Sequence, residues 1–202
     1  MEKLSLNKNW ICYVTGKRET QFATDVPHDA MLLDEKSETS AGGVNTGWIE
    51  AQDYTYERNL HISEKWNGKK LLLEFEGIYR KATVYVNRKK AAYHEYGYTG
   101  FYVDITESVN YGADNEIKVT VVNSDQPNSR WYSGTGIYRP VWLYIFPTEH
   151  ILRDEIRVKT LDYQKKKIAV DVKTTGVGML CTEIFDGEKL IVSKTIQSED
   201  TV

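Results

Sequence analysis

The sequence predicts an all-β fold, a sandwich or a barrel, on three observations. Apolar residues alternate with period two in one short stretch after another. Turn-forming Gly, Asn, Asp and Pro separate these stretches closely, and no segment sustains an apolar stripe at helical spacing. Tyr (14) and Trp (5) are abundant while Pro (4) is scarce, and aromatic side chains suit pleated, half-buried surfaces. The same aromatics suit stacking on sugar rings, since each carries an apolar face and a polar handle. Composition does not separate these two uses.

Taken in order, the first strand covers residues 54–62, with Tyr54, Tyr56, Leu60 and Ile62 on one face. Arg58 shares that face and is either snorkelling at an edge or paired with a carboxylate. Glu64 to Trp66 allows one short helical turn. Residues 71–75 follow, with Leu71, Leu73 and Phe75 aligned, then residues 82–86, which end at an Asn87-Arg88 turn. Residues 101–105, 116–122 and 141–146 complete the set, the last stopped by Pro147. Residues 28–50 lack periodicity and are rich in Ser, Thr and Gly, the signature of a long surface loop.

Between Pro147 and Asp154 the pattern restarts, which divides the chain into residues 1–148 and 149–202. Strands are expected at 156–158, 167–173, 180–185 and 190–196, with Asp186-Gly187 as a hairpin turn. An immunoglobulin-type sandwich takes about 100 residues and seven strands. Residues 149–202 supply about half that length, and residues 198–202 carry no closing strand. The expectation is an incomplete second sandwich, and with it a fragment of a longer protein. An unpaired edge and apolar face there favour pairing with another copy, a homo-oligomer.

Composition and charge narrow the function. The chain has 202 residues, 41% hydrophobic and 27% charged, enough to bury a core. Lys+Arg total 26 against 29 Asp+Glu, a net charge of -3, whereas a nucleic-acid partner calls for a basic surplus. No apolar run approaches the ~20 residues of a membrane span, and residues 1–10 do not resemble a signal peptide. A cytoplasmic protein with neither a membrane nor a nucleic acid as partner is expected. Cys12 and Cys181 lie far apart and belong to no CxxC pair. His28, His61, His94 and His150 are scattered without metal-ligand spacing, so neither metal nor cofactor is expected. Gly134-Thr135-Gly136 has Arg139 in place of the third glycine of a dinucleotide loop, and His94-Glu95 has Tyr98 where a zinc motif needs His. The runs at 88–90 and 165–167 read as solvated turns.

The segment 123–143 is the informative one. It crowds Arg130, Trp131 and Tyr132 against two glycines and several short polar residues. A guanidinium beside aromatic faces suits a polyhydroxylated ring, with donors for its hydroxyls and flat apolar surface for its C–H face. The alternative is a loop whose aromatics plug the end of the barrel, with Arg139 paired to a buried acid.

Residues 128–143 read Asn-Ser-Arg-Trp-Tyr-Ser-Gly-Thr-Gly-Ile-Tyr-Arg-Pro-Val-Trp-Leu. This run resembles the signature of the sugar-binding domain of glycoside hydrolase family 2, best known for its β-galactosidases. Supporting segments occur in the family's order: Val26-Pro27-His28-Asp29, Tyr56-Glu57-Arg58, Phe75-Glu76-Gly77-Ile78, Ala82 through Asn87, and His94 through Thr106. Arg88, Tyr96 and Gly100 depart from the pattern, all in turns.

The resemblance implies a galactose-binding-like jelly-roll sandwich followed by an immunoglobulin-like sandwich, here truncated, and then a (β/α)₈ barrel carrying two glutamates that act with retention. Such a chain holds neither glutamate, so no catalytic residue is assigned to it. What the resemblance assigns instead is a loop leaning over the barrel of the same polypeptide. In the full-length enzyme that loop contacts the carbohydrate, a β-galactoside, with β-glucuronides and β-mannosides as the alternatives. The implied substrate-binding residues are Asp125 as acceptor, Arg130 as donor, and Trp131 or Tyr132 as stacking faces. Arg139 and Tyr138 are expected to brace the fold. The His28-Asp29 loop is either close to the sugar or an ordered surface turn.

Overall fold

The computed structural model describes residues 1–198. It divides into two compact units, Met1–Ile145 and the segment from Phe146 onward.

The first unit is a two-sheet β-sandwich. Its strands are β1 (Glu2–Ser5), β2 (Trp10–Val14), β3 (Phe22–Thr24), β4 (Tyr54–Ile62), β5 (Lys70–Phe75), β6 (Ala82–Val86), β7 (Lys89–His94), β8 (Phe101–Asp104), β9 (Ala113–Val121) and β10 (Val141–Phe146). A four-stranded sheet has the order β1-β10-β5-β8, and a six-stranded sheet the order β3-β2-β4-β9-β6-β7. The longest ladder runs antiparallel from Tyr54↔Val121 to Ile62↔Ala113. β6 pairs the other edge of β9, from Ala82↔Val121 to Val86↔Ile117.

Alternation decides which side chains reach the core. Tyr56, Ile62, Leu71, Leu73, Phe75, Val84, Ile117, Val119 and Leu143 are fully buried in one cluster with Trp10 and Cys12. Each such aliphatic or aromatic side chain contributes about 1.5–3 kcal/mol on burial. Glu74 points the other way and is also buried, where its carboxylate accepts from the Tyr102 and Tyr144 hydroxyls at 2.7 Å each. Arg58 departs from both sequence alternatives. Its guanidinium does not snorkel and meets no carboxylate among the described residues, but donates to the Leu6 carbonyl at 2.5 Å and lies over the Trp10 ring. Burial pushes its pKa down.

All the strands expected before residue 147 form. β1, β2, β3 and β7 form in addition: β1 and β3 are very short, and β7 is a Lys-rich edge strand with no apolar alternation. The loop of residues 25–53 is built around two 3-10 turns, Ala30–Leu33 and Gly43–Thr46.

The β6–β7 turn places Asn87 at φ 49° and Arg88 at φ 67°. Asn87 is pinned there, donating to Ser108 O at 2.9 Å and to Asn115 Oδ1 at 2.8 Å. Among the described residues Arg88 has no such compensation for a left-handed backbone, which costs about 1–2 kcal/mol for an L-residue. Glycine would remove that strain and add about 0.5–1 kcal/mol of entropy loss. Arg88→Gly is therefore expected to raise stability by about 0.5–1 kcal/mol, measured by urea denaturation at unchanged m-value. A neutral or destabilising result would show that the arginine side chain contributes more than the turn strain costs.

The second unit contains two separate hairpins, β11 (Ile151–Asp162) with β12 (Lys167–Thr174), and β13 (Met179–Asp186) with β14 (Lys189–Gln197). Gly187 and Glu188 form the second turn, one residue later than the sequence suggests, with Gly187 at φ 59°. Ile156, Val158, Phe185, Leu190, Val192 and Ile196 are exposed. The expectation for 198–202 falls almost wholly outside the described residues.

Candidate functional site

At one end of the first unit the early loop, the turn after β5 and the long β9–β10 connection converge. Residues 134–138 run as an extended strip between the other two segments. His28 N donates to Ile137 O at 2.8 Å and Ala30 N to Thr135 O at 2.7 Å. On the other side Tyr79 and Gly136 exchange both backbone bonds, at 3.0 and 2.9 Å. Two glycines make this approach possible. Gly136 sits at φ 134°, and a Cβ there would stand 2.8 Å from the His28 carbonyl oxygen and against the Tyr56 hydroxyl. A Cβ on Gly134 would occupy the place of the Asp29 carboxylate.

Asp29 is the polar centre. Its Oδ1 accepts from Met31 N at 3.1 Å, capping the 3-10 turn, and from Thr135 N at 2.9 Å. Its Oδ2 accepts from the Tyr132 hydroxyl at 2.8 Å. Burial, and then the bond to Asp29, raise the Tyr132 phenol well above its ordinary pKa. His28 Nδ1 lies 2.8 Å from the Tyr56 hydroxyl, and burial lowers the imidazole pKa. Burial also pushes the Cys12 thiol up to about 12 and raises the Tyr56 phenol well above its normal value. These shifts hold His28, Cys12 and the tyrosines neutral around neutral pH. Such a cluster suits hydrogen bonding and stacking better than nucleophilic attack, which needs an ionised or base-activated group.

The connection itself is pinned at its start. Asn123 N and Ser124 N both donate to Asp53 Oδ1 at 2.9 Å. Asn123 is fully buried, donates to Thr135 Oγ1 at 2.7 Å and accepts from Asn128 Nδ2 at 2.8 Å. Asn128 in turn accepts from the Tyr79 hydroxyl at 3.1 Å.

The four residues singled out from sequence fall in different settings. Asp125 is held by the Lys81 ammonium and by Arg80 Nη2 at 3.1 Å, and the bond to Lys81 lowers its pKa. Arg130 is exposed, lies 4.9 Å over the Trp131 ring, and forms no ion pair among the described residues. Trp131 is 70% exposed, so it does not plug the end of the sandwich, and Tyr132 is 47% exposed with its hydroxyl on Asp29. Tyr138 braces the fold by donating to Gly97 O at 2.8 Å. Arg139 is paired to no buried acid among the described residues: it is exposed, over the Tyr138 ring.

The structure gathers further residues around Tyr132. Tyr79, Tyr98, Tyr132 and Tyr138 surround an open hollow of about 230 Å³, with Asp29 and Ser133 on its wall. The signal for Asp29 lay in the Val-Pro-His-Asp segment and in Gly134, whose missing side chain makes room for it. Tyr98 lies within the His94–Thr106 segment, whereas Tyr79 carries no such signal. Among the described residues no cluster of three His, Cys, Asp or Glu is placed to hold a metal ion.

Comparison with known proteins places this architecture. Residues 10–142 match the family model described as glycosyl hydrolase 2 galactose-binding domain-like. The β-galactosidase BoGH2A of Bacteroides ovatus is 30% identical over 182 residues, covering 86% of this chain and 21% of that protein. A β-glucuronidase of Bacteroides fragilis is 31% identical over 223 residues, covering 96% of this chain and 30% of its own length. A crystal structure of a family 2 glycosyl hydrolase from Bacteroides cellulosilyticus superposes with a TM-score of 0.83 at 25% identity, over 98% of this chain and 28% of that one. The chain thus spans a fifth to a third of the length of these relatives. With its two-sheet jelly-roll sandwich and its match to that family model over residues 10–142, the chain belongs to glycoside hydrolase family 2.

Proposed function

We propose that this chain is a non-catalytic, substrate-positioning part of a retaining glycosidase whose catalytic barrel lies elsewhere in the same polypeptide, and that the substrate is a terminal β-galactoside. The observation that carries the reading is the Arg130–Trp131 pair, exposed at the tip of a connection whose base is pinned by Asp53 and Asn123. A guanidinium and an indole offered on an ordered base suit a sugar: the cation donates to hydroxyls and the ring covers a C–H face. Such contacts accelerate the reaction by orientation, not by bond-making. In this reading the glutamates of a retaining mechanism, with carboxyls about 5–5.5 Å apart, belong to the barrel.

The name of the Bacteroides ovatus relative supports a galactoside. A β-glucuronide is the second reading: Arg80 and Lys81 are committed to Asp125, which leaves Arg130 as the loop cation open to a uronate carboxylate. The hairpins of the second unit, with apolar side chains exposed, support its reading as part of an immunoglobulin-like sandwich.

The test is kinetic. In the polypeptide that carries both this chain and the barrel, Arg130→Ala and Asp125→Ala are expected to lower kcat/KM about ten- to hundredfold, the worth of one hydrogen bond to a charged group. Melting temperatures should stay close to wild type. Unchanged kinetics in both variants would leave a purely structural role. A larger loss with an aryl β-glucuronide than with an aryl β-galactoside would select the second reading.

A further inference from the structure

The hollow beside Asp29 carries an inference of its own. Tyr98 is 52% exposed and Tyr132 47% exposed, while Tyr79 behind them is buried. Tyr98 meets the Tyr79 ring edge-on at 5.3 Å and the Tyr96 ring at 5.7 Å. The Tyr132 hydroxyl is tied to Asp29, the Tyr138 hydroxyl to Gly97 O, and the Tyr79 hydroxyl to Asn128. The walls Tyr79, Tyr132 and Tyr138 are therefore held in place before any ligand arrives, which limits the entropy lost on binding.

The polar groups are asymmetric. Among the described residues Asp29 Oδ1 is filled by two backbone N–H groups, whereas Oδ2 accepts only from Tyr132. A carboxylate oxygen accepts two bonds, so Oδ2 keeps capacity for an incoming hydroxyl. Ser133 is more than nine-tenths buried and borders the hollow, and its buried hydroxyl has no hydrogen-bond partner among the described residues, which is rare for a buried polar atom.

Size and charge then select the ligand. Sites for drug-sized ligands run to about 300–1,000 Å³; at about 230 Å³ this hollow suits a single ring. Its one charged wall residue is an anion, Asp29, and Arg139 is exposed over the ring of the wall residue Tyr138 at 5.5 Å. Aromatic faces with a fixed carboxylate acceptor fit a neutral pyranose and oppose a uronate.

We infer that the hollow walled by Tyr98, Tyr132 and Asp29 is a sugar-ring site of this chain itself, taking one neutral pyranose unit by its C–H face and one of its hydroxyls. The inference rests on the reading that this end of the sandwich meets carbohydrate, but uses neither Arg130 nor Asp125.

Amide NMR shifts of the 202-residue chain, followed during titration with methyl β-galactoside and with methyl β-glucuronide, test it. Saturable shifts at residues 98 and 132–134 are expected, with a Kd of about 1–10 mM. The glucuronide should bind about tenfold more weakly. Tyr98→Ala should weaken binding about fivefold and Tyr98→Phe should retain it, because the ring face and not its hydroxyl is used. No saturation by about 100 mM, equal affinity for the two glycosides, or an unaltered Kd in Tyr98→Ala would overturn the inference. Shifts centred on Asp125 and Arg130 would also overturn it while leaving the proposed function standing. Saturable binding at the hollow alongside kinetically silent Arg130→Ala and Asp125→Ala would support the hollow and remove the proposed function.

Discussion

Replacing Gly136 by alanine is expected to destabilise the first unit by about 3 kcal/mol or more. Two costs add. The backbone sits at φ 134°, a conformation L-residues avoid, worth about 1–2 kcal/mol. The new methyl group would also stand 2.8 Å from the His28 carbonyl oxygen and against the Tyr56 hydroxyl, and overpacking of this kind costs about 1–3 kcal/mol. Neither neighbour yields easily: Tyr56 is fully buried, and the His28 backbone is bonded to Ile137. At about 2–4 °C per kcal/mol for a unit of this size, calorimetry should record a fall in Tm of about 10 °C. Gly16→Ala is the control. Gly16 has φ 85° but nothing within 4 Å of a built Cβ, so it carries the backbone cost alone. Equal losses in the two variants would mean that the close approach of the 134–138 strip to the early loop contributes nothing.

How much of this was legible in sequence depended on distance along the chain. β4 was readable because Tyr54, Tyr56, Leu60 and Ile62 alternate strictly and all are buried. β7 was not, because an edge strand of sequence Lys-Lys-Ala-Ala-Tyr-His buries nothing fully and has no apolar face to betray it. Arg58 was placed on the right face, but a partner that is the backbone carbonyl of Leu6, 52 residues away, leaves no pattern in the side chains. The site followed the same rule. Arg130, Trp131 and Tyr132 are adjacent in sequence, so their crowding was visible. Asp29 reaches Thr135 across 106 residues and Tyr132 across 103, and only the family's ordered motifs hinted at that meeting. Asp125 illustrates the converse. Its type and spacing suit a sugar acceptor, yet the fold gives it Lys81 and Arg80, whose positions just beyond the β5 turn no local pattern ties to it.

Asn123→Ala is expected to cost about 2–3 kcal/mol and to loosen the connection that follows it. The side chain is fully buried and bonds in both directions, to Thr135 Oγ1 at 2.7 Å as donor and from Asn128 at 2.8 Å and Gln126 at 3.2 Å as acceptor. Its loss leaves the Thr135 hydroxyl, itself 1% exposed, without that donor, and a buried orphan costs about 1–3 kcal/mol. A second cost comes from the small void the deleted amide leaves. Asn128→Ala should cost less, about 1 kcal/mol, since Asn128 is only half-buried and its amide also faces Asp125. The two residues share a bond, so the double variant should lose less than the sum of the singles, with a coupling of about 0.5–1 kcal/mol. Urea denaturation gives these energies, and amide hydrogen exchange over residues 124–132 reads the consequence for the site: protection there should fall in Asn123→Ala while β4 and β9 keep theirs. Additive energies, or unchanged exchange, would mean that the Asp53 contacts alone hold the loop. In that case the position of Arg130 and Trp131 would depend on backbone anchoring at Asn123 and Ser124, and variants of Asp53 rather than Asn123 would be the ones to disturb it.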